Sequence, residues 1–307
     1  MRNFNSELDL ALDLVKVATR ITEWFRMEGF ESFLKDDDSP VTLADYASQL
    51  YIINMLKEKF PKDQIIAEEK FHAYLNKATQ DVIKRCYKSL SLDLIEDIEI
   101  VLNYRGALSP RQWTIDPIDG TKGFQEKLTY AVGIGFMFDS EIVAAAIGIP
   151  NYNEKGKAIF IAEKEKGTKA SYGDEKFYSV HVSTQENIEL AQMCRSLHYD
   201  KPWVMEFANL AKIEKFFQID SMAKFCMISD GTADLYIKPL DKERSYSWDF
   251  LPGTLIVEEA GGIVSDLRGK DVKFKDEKCV TTSPGLIVSN GILHEKILKY
   301  IKKISYY

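Results

Sequence analysis

Four cysteines are scattered through 307 residues, at Cys86, Cys194, Cys226 and Cys279. No two form a C-x-x-C pair, which excludes a zinc knuckle and a disulfide framework and suits a reducing compartment. No block of Lys and Arg stands out against a net charge of -7, so a nucleic acid polymer is not an expected partner. A small phosphate substrate would have to be met by local cations, because the bulk field would not draw it in. Long hydrophobic runs are also missing. The longest, from Ile142 to Pro150, is far short of the roughly 20 residues that span a bilayer. No basic-then-apolar leader opens the sequence. The expectation is a cytoplasmic protein without a membrane partner.

What is present is apolar content, 45% of residues, enough for one large or two modest cores. Phe4, Leu8, Leu12, Val15, Ala18, Thr22 and Phe25 recur at helical spacing before Gly29, which predicts a long amphipathic helix and its stop. A second helix is predicted from about Thr42 to Phe60, then a short strand at Ile65 to Ala67 ending in Glu68 and Glu69. Residues 72–105 hold no Pro or Gly and read as helical. A strand follows at 112–117. A strand pair is predicted from the alternating residues 130–138 and the apolar run 141–149, joined by a short turn at Asp139 and Ser140. The turn Pro150 to Asn153 is the expected boundary between an N-terminal α+β part, residues 1–152, and a C-terminal α/β part, residues 153–307. In that second part strand patterns at 157–162, 177–182, 193–197, 234–238, 262–266 and 285–289 alternate with helical ones at 203–217, 221–230, 250–260 and 291–303.

The chemistry concentrates in Trp113-Thr114-Ile115-Asp116-Pro117-Ile118-Asp119-Gly120-Thr121. Two carboxylates stand at a strand's end around a Pro that restricts the backbone, and Gly120 permits a turn that brings up the Thr121 hydroxyl. Carboxylates so placed can converge on a hard cation such as Mg²⁺. Asp45 lies in the first turn of the second helix, where an acid favours the helix dipole. Glu68 closes a strand, and Asp249 opens a helix in an N-cap setting. Each of these five acids begins or ends an apolar element. If they converge, divalent ions are needed to neutralise them.

These pieces resemble the inositol-monophosphatase-like superfamily of Mg²⁺-dependent, often lithium-sensitive phosphatases. They are Thr42 to Asp45, Ala67 to Glu69, Asp116 to Thr121, and Trp248-Asp249 with the later Gly261-Gly262, and they occur in the family's order along nearly the whole chain. The resemblance implies a layered αβαβα sandwich. Within the superfamily the chain looks most like the 3'(2'),5'-bisphosphate nucleotidases. Lys122-Gly123-Phe124 after Thr121, the run Ser221 to Cys226, and Ser196-Leu197-His198 carry that likeness.

By resemblance, one Mg²⁺ falls to Glu68, Asp116 and the carbonyl of Ile118, and a second to Asp116, Asp119 and Asp249, with room for a third near Glu68. The nucleophile is a water, Thr121 and Asp45 form the activating pair, and Asp45 takes the proton. Thr121 and Asp249 are also expected against the substrate. Ser221, Lys224 and Lys238 are candidates for the second phosphate, with Tyr246 and Arg244 nearby in sequence, and His198 for the base. The reaction implied is removal of the 3'-phosphate of adenosine 3',5'-bisphosphate, a by-product of sulfate transfer. The 5'-phosphosulfate analogue and inositol 1,4-bisphosphate are expected as further substrates, and a monomer as the working form. An inositol monophosphatase and an inactive nucleotide-binding protein are the alternatives.

Overall fold

The computed structural model describes residues 3–173, 176–241 and 245–305. Helix α1 (Asn5–Glu28) leads to the hairpin β1 (Ser32–Leu34) and β2 (Pro40–Thr42), then α2 (Leu43–Lys59), β3 (Gln64–Ala67), α3 (Lys77–Ser89) and α4 (Ile98–Leu102). The central strands are β4 (Arg111–Asp119), β5 (Ala131–Phe138), β6 (Glu141–Tyr152), β7 (Gly156–Glu163), β8 (Thr168–Tyr172) and β9 (Tyr178–Ser179), with the short helix α5 (Thr121–Gln125) after β4. There follow β10 (Gln192–Arg195), α6 (Pro202–Leu210), β11 (Lys215–Gln218), α7 (Ala223–Ser229), β12 (Leu235–Pro239) and α8 (Ser247–Glu259). The chain closes with β13 (Ile263–Asp266), β14 (Lys273–Lys275), β15 (Lys278–Val280), β16 (Gly285–Ser289) and α9 (His294–Ile301).

Seven strands form one sheet in the order β3-β4-β5-β6-β7-β8-β9, and five form another in the order β11-β10-β12-β16-β13. Side chains alternate along β5, as a strand's period of two requires. Val132, Ile134 and Phe136 face a core shared with α1 and α2, whereas Ala131 and Met137 face the core shared with α7 and α8. The second sheet divides likewise. Tyr236, Leu286 and Val288 face α7 and α8, and Leu235, Ile237 and Ile287 face α6 and α9. The result is five layers, helix on sheet on helix on sheet on helix.

The helix pair α7 and α8 is thus clamped between two sheets, and β5 makes room for it with glycines. A Cβ on Gly133 would come within 2.4 Å of the Met222 sulfur, and one on Gly135 within 2.2 Å of Leu251 Cδ2. This close approach carries Asp249 on α8 toward Asp116 and Asp119 on β4.

The structure redraws several expected elements. The helical stretch 72–105 resolves into α3 and α4, because Asn76 caps α3 by accepting from the amides of Ala78 and Thr79, and Ser91 turns the chain at φ 57°. The helix expected over 203–217 ends at Leu210. Lys212 adopts φ 54°, and the Phe216-Phe217 run becomes β11 beside β10. Only Tyr178–Ser179 of the strand expected at 177–182 pairs with β8. The turn at Pro150 to Asn153 joins two strands of one sheet, since β6 pairs with β7 across it. The first sheet therefore runs on through Ser179, and the change of sheet comes between β9 and β10. All four cysteines are free and buried, and burial pushes the Cys86, Cys194 and Cys279 thiols up to about 12.

Replacing Gly135 by Val is expected to destabilise the protein by about 1–3 kcal/mol, the usual cost of overpacking, and to weaken divalent-ion binding because α8 is pushed off the sheet. Urea unfolding and a Mg²⁺ titration check the two effects separately. Unchanged values for both would contradict this account of α8 seating.

Candidate active site

Thr42 and Asp45 form a capping box at the start of α2. The Asp45 Oδ2 accepts from the Thr42 amide at 2.8 Å and from its hydroxyl at 2.5 Å. Its other oxygen, Oδ1, accepts from Thr121 Oγ1 at 3.3 Å, and Thr121 Oγ1 also lies 3.1 Å from the Ile118 carbonyl. One oxygen of Asp45 is therefore tied to its own helix while the other faces the hydroxyl that begins α5. Burial pushes the Asp45 carboxyl up to about 7, and the charge of Glu68 adds to the rise.

The turn that presents Thr121 depends on Gly120, at φ 89°. A side chain there would be strained, and its Cβ would fall 2.3 Å from the carbonyl of Asp220. In the strand before it, the Asp116 Oδ1 accepts from the Ile118 amide at 3.1 Å. Asp119 accepts from the backbone N–H of Met222. Asp249 is the third residue of α8 rather than its N-cap, which is Tyr246, and its Oδ2 accepts from the Tyr246 amide at 3.4 Å.

Asp116, Asp119 and Asp249 converge so that one carboxylate oxygen of each lies within 4.8 Å of the others. Asp116 is buried, and the other two are partly open to the cleft. All three carboxyls are pushed above the ordinary range, Asp119 to about 6, first by burial. For Asp116 and Asp249 the neighbouring carboxylates push further, and Glu68 hydrogen-bonds Asp116. Three such groups could hold a metal ion. Their oxygens suit a hard cation such as Mg²⁺ better than a thiophilic metal. Glu68 reaches the cluster through Asp116, while its Oε1 is 2.6 Å from Lys35 Nζ, which also meets Glu69 at 2.5 Å. Lys35 escaped the sequence reading because 33 residues separate it from Glu68 and nothing local marks it.

The cluster opens into a cleft of about 910 Å³. Thr121, His198, Ser221, Lys224, Lys238 and Asp249 all line it. Lys224 is buried, donates to the Ile219 carbonyl at 2.5 Å, and has its ammonium pushed down to about 8 by burial and by Lys238. Lys238 Nζ lies 5.6 Å from the centroid of the Tyr199 ring. Ser221 Oγ accepts from the Ala223 amide at 3.2 Å. Tyr246 lies on the cleft wall, stacked on Trp248 at 4.6 Å. Arg244 lies outside the described residues.

The sequence that builds this cleft is matched by a family model. The model described as "Inositol monophosphatase family" covers residues 6–306. The chain belongs to the inositol monophosphatase family. Among its relatives, a 3'(2'),5'-bisphosphate nucleotidase of Schizosaccharomyces pombe is 29% identical, over 97% of this chain and 95% of that protein. A 3',5'-bisphosphate nucleotidase 2 of Arabidopsis thaliana is 29% identical over 98% and 97%. A 3'(2'),5'-bisphosphate nucleotidase of Dictyostelium discoideum reaches 30% over 88% and 87%. The solved structure of a Thermotoga maritima IMPase superposes with a TM-score of 0.71 at 20% identity, covering 97% of both chains. The suhB protein of Bartonella henselae gives 0.69 at 22% identity, over 98% of both. Both share the layered fold.

Within this family member the raised carboxyls fix the sign of a pH effect. A carboxyl whose folded value exceeds its unfolded one holds its proton more tightly when folded, so stability falls as pH rises. Without divalent ions the protein is expected to lose stability between about pH 4 and about pH 7, the interval bounded by the ordinary Asp value and the raised values of Asp119 and Asp45. Saturating Mg²⁺ should restore stability at the alkaline end. Thermal unfolding at several pH values, with chelator or with Mg²⁺, tests this, and a chelated protein that is more stable at neutral than at acid pH would contradict it.

Proposed function

We propose that this family member is a Mg²⁺-dependent 3'(2'),5'-bisphosphate nucleotidase that removes the 3'-phosphate of adenosine 3',5'-bisphosphate to give AMP and phosphate. The observation that carries the reading is a single cleft with an acid cluster beside Thr121 and Asp45 and a separate pair of lysines, Lys224 and Lys238, on its wall. A substrate with one ester to cleave and a second phosphate to hold needs both. The names of the relatives support the same substrate.

Glu68, Asp116, Asp119, Asp249 and the Ile118 carbonyl would hold two Mg²⁺ ions, with a third near Glu68. Bound there, the ions would supply charge neutralisation for the phosphoryl oxygens. The chain's own residues would do the rest. Thr121 Oγ1 donates to Asp45 Oδ1, which leaves its lone pairs to accept from a water and aim it at phosphorus. Asp45 accepts the proton through that hydroxyl. Its carboxyl, raised to about 7, is matched to proton transfer near neutral pH. The fixed Oδ2 keeps the carboxylate in register during the transfer, so positioning is built into the helix start. Lys224 and Lys238 would meet the 5'-phosphate, with Ser221 as a hydrogen-bond donor. The phosphosulfate analogue and inositol 1,4-bisphosphate fall within the same chemistry. The cytoplasm is the proposed location and a monomer the proposed form.

Two measurements test the reading. At equal Mg²⁺, kcat/KM for adenosine 3',5'-bisphosphate should exceed that for inositol 1-phosphate by roughly a hundredfold or more, as a site built around a second charged group would discriminate. Preference for the inositol ester would instead make the protein an inositol monophosphatase. Asp45→Asn should lower kcat by about 10²–10⁴-fold, the range for loss of a general base, with nucleotide binding retained in equilibrium dialysis. Near-normal turnover would remove Asp45 from the role of base.

A further inference from the structure

The run Lys122-Gly123-Phe124 has no part in the chemistry above, yet it forms most of α5, the helix that begins with Thr121. Thr121–Gln125 is little more than one turn, and a helix so short does not hold itself in water. Its position must be fixed from outside. At the start, Thr121 Oγ1 meets Asp45 and the Ile118 carbonyl, and the Phe124 amide donates to the Gly120 carbonyl at 2.8 Å. Beyond the end, the Leu128 amide turns back to the Gly123 carbonyl at 2.7 Å, with Lys127 between them at φ 61°. The Phe124 ring is fully buried, its centroid 4.8 Å from that of Phe30 and 4.9 Å from that of Tyr130.

A cation from far along the chain reaches this turn. Arg26 lies in the last turn of α1. Its Nη2 donates to the Leu128 carbonyl at 2.5 Å and to the Phe124 carbonyl at 3.4 Å. The guanidinium carbon sits 4.6 Å from the centroid of the Tyr130 ring and 5.3 Å from that of Phe124. The last carbonyls of a helix lack partners within it, and a cation placed there bonds them and complements the helix dipole. Tyr130 is tied to α1 as well, its hydroxyl 2.8 Å from Thr22 Oγ1. The Arg26 Nε is buried without an acceptor among the described residues, and burial pushes the guanidinium down from its ordinary value. The side chain thus gives up part of its hydration for two carbonyls and two ring faces.

We infer that Arg26 is a positioning residue for Thr121. It holds the end of α5 through the Phe124 and Leu128 carbonyls. The Phe124 amide passes that hold to the Gly120 carbonyl, and Thr121, between the two, keeps its hydroxyl facing Asp45. Arg26 itself is no part of the cleft lining. A small displacement of an aligning group can cost about 10²-fold in rate, and here it would fall on the reacting water rather than on the lysines of the opposite wall. The inference rests on the roles proposed above for Thr121 and Asp45, and not on which phosphate ester is cleaved.

The test is a double-mutant cycle, read with whichever of adenosine 3',5'-bisphosphate and inositol 1-phosphate the wild type cleaves faster. Arg26→Met keeps an unbranched stem against the two rings and removes the donors. Its kcat should fall by roughly 10–100-fold, while KM and the Mg²⁺ concentration for half-activation stay within about twofold. In a Thr121→Ala background the same substitution should change kcat by less than about twofold, because the group it serves is gone. Arg26→Lys, which keeps a donor for the carbonyls, should recover part of the lost rate. Hydrogen exchange at the Phe124 amide should quicken in Arg26→Met. A near-normal kcat in folded Arg26→Met overturns the inference alone. An equal loss in both backgrounds makes Arg26 a general support of the fold and also overturns it. Unchanged exchange across 121–128 does the same, however slow Thr121→Ala proves. Where Arg26→Met does not fold, Arg26→Lys takes its place in the cycle and the same outcomes decide. A wild type that cleaves neither ester, or a Thr121→Ala that loses no rate, sinks the proposed function together with the inference.

Discussion

Four carboxylates, Glu68, Asp116, Asp119 and Asp249, line one cleft with a fifth, Asp45, buried behind Thr121, and repulsion among them in a region of reduced dielectric constrains everything around them. The fold answers this locally before any ion arrives. Asp45 is held by Thr42, Asp116 by the Ile118 amide, Asp119 by the Met222 amide and Asp249 by the Tyr246 amide. Glu68 takes an ammonium, Lys35. Asp45, Asp116 and Asp249 are thus oriented within their own elements, Asp119 and Glu68 by partners distant in sequence, and the carboxyls of Asp45, Asp116, Asp119 and Asp249 stay raised because that compensation is incomplete. A bound metal ion would complete it, which would make ion binding and site order two sides of one equilibrium.

The layers exist to bring these partners together. β4 delivers Asp116 and Asp119 just past the end of its pairing with β3, where β5 alone runs beside them and the register shifts between the two acids. α2 delivers Asp45 from one face, and α8 delivers Asp249 from the other, seated against the glycines of β5. The second sheet delivers the wall with Lys238 on β12 and, through the segment after β11, Ser221 and Lys224. The groups that line the cleft therefore come from both sheets and from the clamped helix pair between them, Lys224 on α7 and Asp249 on α8. A change in that packing reaches the chemistry through distance rather than through charge.

Much of this was legible in the sequence wherever the signal was local. The periodic α1, the alternating β5 and the continuous apolar run of β6 stand as read, because their apolar patterns are local signals, and α2 also lies where it was expected. The five acids were visible as residues at element ends, and the structure brings Asp116, Asp119 and Asp249 together, with Glu68 beside Asp116 and Asp45 near Glu68. What was hidden depended on partners distant in sequence. Lys35 is paired across 33 and 34 residues, and Asp220 meets His198 across 22. β11 reads as helix from its residues and is a strand only because β10 lies alongside. The helical reading of 72–105 failed at Asn76 and Ser91, where a cap and a left-handed residue outweigh the lack of Pro and Gly. Asp249 sits three places deeper in its helix than the N-cap it resembled, because Tyr246 takes the cap and Asp249 closes the capping box from N3.

The four buried thiols have a consequence for how the protein meets its surroundings. Thiolate is the reactive form of cysteine. With Cys86, Cys194 and Cys279 raised to about 12 and Cys226 raised by burial as well, the thiolate fraction near neutrality is negligible. Oxidants and electrophiles therefore find no ready thiol among the described residues, although Met27 is exposed. A single cysteine introduced on the surface would serve as a site-selective label.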